Sequence, residues 1–127
     1  MERAIQVFVL VNVLVIGFSH ITAPMAWARF FGWLRSKGEA GVFVVAGMSL
    51  TFGSIIVAFH DVWSGLPLVV TLLGWAQVLK GAIYYCFPSF GLKQLGRVRE
   101  DNARILVAPG AVFVVLGLLL AWGLWGG

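Results

Sequence analysis

The chain has 127 residues, 61% of them hydrophobic and only 11% charged, with a formal net charge of +4 at pH 7. Soluble domains average roughly 45–50% apolar and about 25% charged residues, so water is a poor solvent for this surface and a single lipid-embedded domain is expected. The lone cysteine, Cys86, excludes an internal disulfide, a four-cysteine zinc site and a paired-thiol redox centre, and is expected as a small core or lipid-facing residue.

Four apolar stretches, residues 5–23, 40–59, 66–87 and 105–125, are predicted to span the membrane. Each is near the roughly 20 residues that carry a helix across about 30 Å of hydrocarbon. Lipid offers the backbone no hydrogen bonds, so the spans must satisfy their own amides, and an all-α polytopic bundle follows. The first stretch is also short enough for a signal peptide. Charge sorting argues for a true span. With four spans, loops 24–39 and 88–104 share one side and carry Arg29, Arg35, Lys37, Lys93, Arg97, Arg99 and Arg104, whereas the other side has Arg3. Positive charge marks the cytoplasmic face, so both loops are expected inside and both termini outside a bacterial inner membrane. Split between two loops, the same charge does not argue for nucleic-acid binding.

Neither loop is featureless. Pro24 is predicted in the first turn of a helix capped by Thr22. Trp27, Phe30, Phe31 and Leu34 follow at i, i+3, i+4 and i+7, the apolar stripe of a helix lying in the interface. Leu92, Leu95 and Val98 repeat the idea among Lys93, Arg97 and Arg99. Surface anchoring is one reading of both loops and docking of a cytosolic partner is the other.

The halves resemble each other. GFSHITAP (17–24) closes the first span and GAIYYCFP (81–88) closes the third, while VFVVAG (42–47) in the second is echoed by VFVVLG (112–117) in the fourth. Both halves run the same way, giving two parallel-repeat helical hairpins about an axis along the membrane normal. Small residues allow close helix approach: Gly110 and Gly117 mark such a face on the fourth span, and Gly47, Thr51 and Ser54 on the second.

Lys80 is the one charge deep inside a predicted span. A lysine at a helix centre costs roughly 2.5–3.5 kcal/mol on insertion scales. Either it snorkels toward an interface marked by Tyr84 and Tyr85, or it is held deeper, since helical side chains lean toward the N-terminus. No acidic residue lies within a span. The expected partners are therefore Gln77, Tyr84, Asn12 or His20, a backbone carbonyl, or an anionic lipid phosphate. These five residues form the first candidate site, for lipid or a partner. The second is the outer polar turn of His60, Asp61 and Trp63, where a charged histidine would gain from a helix C-terminus. Here a structural turn competes with a pH-sensitive contact.

Metal and redox chemistry find little support. His20 lies near the inner end of the first span and His60 at the outer end of the second, too far apart in depth to share a haem, and no carboxylate–histidine cluster suggests a di-iron centre. No cofactor, metal site or catalytic residue is expected. Asn12, Ser19 and His20 share one side of the first span, as glue between helices. Five tryptophans fall at predicted interfaces, with Trp75 alone expected in the core.

The pattern His60-Asp61-x-Trp63, then Gly74-Trp75-x4-Lys80-Gly81 and Phe87-Pro88, resembles an uncharacterised group of small bacterial four-span integral membrane proteins. That resemblance implies an inner-membrane helical bundle and supplies no catalytic residues. The leading expectation is a non-enzymatic accessory or scaffold protein that binds lipid or membrane-protein partners. The competing one is a small transporter or channel built as a homo-oligomer, although the intramembrane carboxylate usual for proton coupling is missing.

Overall fold

A computed structural model describes residues 2–126. Among the described residues the fold is all-helical, with four helices long and apolar enough to cross a membrane. Helix α1 runs Glu2–Thr22, α2 Pro24–Ser36, α3 Glu39–Phe59, α4 Leu68–Cys86 and α5 Pro88–Leu95. A 3-10 segment, Glu100–Leu106, leads into α6, Val107–Ala121, whose last turn widens into a π-helix at Trp122–Gly126.

Sequence explains most boundaries. Pro24 and Pro88 begin α2 and α5, where a missing N–H costs nothing. The side-chain cap expected from Thr22 is not made. Ala23 is the capping residue and the Thr22 hydroxyl instead donates to Phe18 O at 3.0 Å. Pro109 cannot bond back to Ile105, so the fourth crossing begins as 3-10 and becomes α-helical only at Val107. The second amphipathic helix stops at Leu95, leaving Val98 in the irregular stretch beyond the turn that follows.

Packing is mainly between the halves, α1 against α6 and α3 against α4. A two-fold exchange of α1 with α4 and α3 with α6 maps one pair onto the other, as the parallel repeat requires. The contacts fix its register. A Cβ on Gly17 would lie 2.8 Å from Gly110 O, and one on Gly81 2.9 Å from Ala46 O. One on Gly117 would meet Leu14 Cγ at 2.5 Å, and one on Gly53 would meet Val78 N at 2.6 Å. Gly17 to Gly81, Ala46 to Gly110, Leu14 to Val78 and Gly53 to Gly117 are all shifts of 64 positions.

The proline hinges obey the same shift. Ala23 has φ −135° and ψ 50°, and Phe87 has φ −132° and ψ 70°. Ala23 N–H donates to Ser19 O at 2.8 Å as Phe87 N–H does to Ile83 O at 2.7 Å. The first echo, 17–24 with 81–88, is thus in register. The second, 42–47 with 112–117, is a shift of 70 and does not correspond to structurally equivalent positions. The small face on α3 is corrected as well. Ala46, Ser49 and Gly53 are buried, whereas Thr51 and Ser54 are exposed and Gly47 approaches only the Tyr85 hydroxyl.

Two apolar layers result. Ile5, Val9, Leu10, Val13, Ile56, Val70 and Leu120 form the one nearer the chain ends, while Leu34, Val42, Ala46, Tyr84 and Leu95 form the one under the loops. Around them the helices present apolar side chains outward: Val15, Met48, Leu79 and Val112 are each more than 60% exposed. A surface this apolar calls for lipid. Trp75, expected in the core, is 49% exposed and belongs to that surface, as does Cys86.

Candidate functional site

α2 and the α5–3-10 segment pack together at one end of the bundle, so both basic stretches meet. Leu34 and Leu95 anchor them in the core. Between them lies a groove of about 640 Å³ lined by Ala28, Arg29, Arg35, Leu92, Arg99 and Glu100, among others. Arg29 reaches Glu100 at 3.4 Å and Arg99 reaches Asp101 at 3.3 Å, exposed pairs that hold the rims loosely. A neighbouring hollow of about 350 Å³ is lined by Arg35, Ser89, Leu92, Lys93, Gly96 and Arg97, with no carboxylate among them. Arg35 lies on the backbone of Gly96, where a Cβ would come within 2.8 Å of its Nε. Three cations and a hydroxyl converging on one hollow supply the donors that an anion would need. The loop charges pointed to this end of the molecule. Their convergence was hidden because Arg35 and Arg97 come from different halves.

The other end holds the turn containing His60, Asp61 and Trp63. His60 is 2% exposed and Thr71 1%. The Thr71 hydroxyl donates to Val62 O at 2.7 Å, so it must accept from His60 Nδ1–H at 2.8 Å. That leaves His60 Nε2 as acceptor for the Gln6 amide at 3.1 Å. The ring is therefore neutral, and every member of the chain is satisfied. Burial pushes the His60 pKa below its ordinary value, against the smaller upward pull of Glu2 and Asp61. The neutral ring ties α1 and α4 to the turn, which is the structural alternative of the two expected for it, and makes no use of the helix end that a charged form would gain from. Asp61 accepts from the Trp63 indole, and its own N–H donates to Glu2 at 3.0 Å.

The five residues of the first candidate site are spread over three places. Asn12 and Gln77 line a cavity of about 280 Å³ between the two core layers, with Ser49, Phe52 and Phe113. Asn12 Nδ2 donates to Phe8 O at 2.8 Å. His20 is buried at the loop end of α1, its Nδ1–H donating to Ile16 O at 2.8 Å and its ring stacked on Trp27 at 4.4 Å. Trp27 in turn donates to Ser19 Oγ at 2.8 Å, so Ser19 and His20 join α1 to α2, whereas the Asn12 bond stays within α1. Lys80 and Tyr84 stay together: the ammonium sits 5.6 Å from the Tyr84 ring centroid, turned toward the loop end. That is the snorkelled geometry. Gln94 of α5 shares the Lys80 groove, and no spacing within α4 could have revealed it.

Among the described residues no three His, Cys, Asp or Glu side chains are placed to hold a metal ion. Comparison with protein-family models, curated proteins and solved structures gives no match.

Proposed function

We propose that this is a non-enzymatic accessory protein of the bacterial inner membrane, which works by holding anionic lipid headgroups or an acidic membrane-protein partner against its cytoplasmic end. The observation that carries this reading is the basic hollow of Arg35, Lys93, Arg97 and Ser89 beside the larger groove of Arg29 and Arg99. Interfacial helices bury apolar residues and offer cations to headgroups, and each cation near an anionic surface adds about 1 kcal/mol of attraction. Mild-detergent purification followed by mass spectrometry of co-purifying lipids and proteins tests it. Arg35→Gln/Arg97→Gln should retain less anionic lipid than wild type, or lose a stable partner that wild type keeps. Equal retention by both proteins contradicts the reading.

A second reading, a homo-oligomeric transporter or channel, draws on the mid-bundle cavity lined by Asn12, Ser49 and Gln77. It predicts a symmetric oligomer in which that cavity joins a continuous polar path.

A further inference from the structure

A groove lies between the helices on either side of each proline hinge, at the loop end of its span, and the two grooves are related by the same shift. In the first half Ser19, Ala26, Trp27 and Phe30 line it. In the second, the residues 64 positions on from Ser19, Ala26 and Phe30 are Ile83, Phe90 and Gln94, joined by Ala76, Leu79, Lys80 and Tyr84. The halves differ most in charge. The counterpart of Lys80 is Ile16, and that of Gln94 is Phe30. Only the second groove has been given a cation and an amide.

We propose that the second groove, about 310 Å³ in volume, seats one anionic phospholipid from the leaflet on the loop side, with Lys80 and Gln94 on its phosphate and Leu79, Ile83 and Phe90 along an acyl chain. The cation is aimed and held. Tyr84 is buried, its ring lies where a Gly91 Cβ would be 3.2 Å away, and Phe90 meets it edge-on at 6.2 Å. The Lys80 ammonium rests over that fixed ring and is therefore drawn toward headgroup depth. No acidic side chain lines the groove to neutralise it, and no span contains one beyond its first residues. A counter-charge must come from outside the chain. Apolar walls and the exposed Leu79 open the groove to the acyl region, which a lipid phosphate reaches and a free anion does not.

This site is separate from the basic hollow, and the test keeps them apart. The protein is placed in phosphatidylcholine nanodiscs doped with phosphatidylglycerol, and retained lipid is counted by native mass spectrometry. Wild type and Lys80→Arg should retain a phosphatidylglycerol that Lys80→Met loses, with its preference over phosphatidylcholine falling about tenfold. Gln94→Leu, which keeps the charge, should weaken retention about threefold. Arg35→Gln/Arg97→Gln should leave this lipid bound, whatever it does to the basic hollow. Unchanged retention in Lys80→Met overturns the proposal, as does unchanged retention in Gln94→Leu should the methionine variant fail to fold. Displacement of the lipid by excess inorganic phosphate would also overturn it, by identifying a free-anion site.

Discussion

Gly17 and Gly110 bring two helix backbones into contact, since a Cβ on either would fall within 2.8 Å of the other's carbonyl oxygen. Gly17→Ala is expected to destabilise the protein by about 1–3 kcal/mol, because overpacking must move α1 or α6 bodily. Gly32, on α2 with nothing within 4 Å, is the control. Gly32→Ala should instead stabilise by up to about 1 kcal/mol through helix propensity. Denaturation in detergent, following helicity, separates the two signs.

His60 makes a pH prediction at the same scale. Its folded pKa lies below the ordinary 6.5 because burial disfavours the imidazolium. Over the interval between those values the unfolded chain binds the extra proton, so stability is full above pH 6.5 and falls as pH drops below it. His60→Gln should flatten the melting temperature between pH 6.5 and about pH 5, where carboxylates begin to titrate. An equally steep acid loss in this variant would show that His60 is not the group responsible.

At the scale of elements, four spans were legible because about 20 apolar residues have few alternatives in lipid. The proline hinges were legible too, since proline fixes where a helix begins. Register was not. VFVVAG and VFVVLG are the kind of string that hydrocarbon selects anywhere, whereas the true register is set by where Gly17, Gly53, Gly81 and Gly117 meet the facing helix. The candidate sites were legible only in part, for a related reason. Lys80 with Tyr84 is an i, i+4 pair readable within one helix, but His60 is closed by Gln6 and Thr71 from two other elements. Contacts between halves leave no periodic trace.

Those contacts carry a prediction about the elements themselves. Because α1 rests on α6 and α3 on α4, neither half buries its own faces. Residues 1–63 and 64–127, co-expressed as separate chains, should co-purify as one complex, and each expressed alone should be degraded or aggregate. Two halves stable in isolation would contradict the packing scheme.

At the scale of the whole molecule, charge and oil are sorted along one axis. The basic helices gather at one end, and the buried His60 turn closes the other beside Glu2 and Arg3, with Arg3 stacked over Trp125 at 5.6 Å. The proposed lipid and partner binding depends on the basic end facing the cytoplasm. Ser36 and Ser64 are exposed at opposite ends, and Cys86 is the chain's only thiol. In a Cys86→Ala background, an impermeant thiol reagent should label Ser64→Cys in intact cells and Ser36→Cys only after permeabilisation. Labelling of Ser36→Cys from outside, or of both positions from one side, would contradict the account.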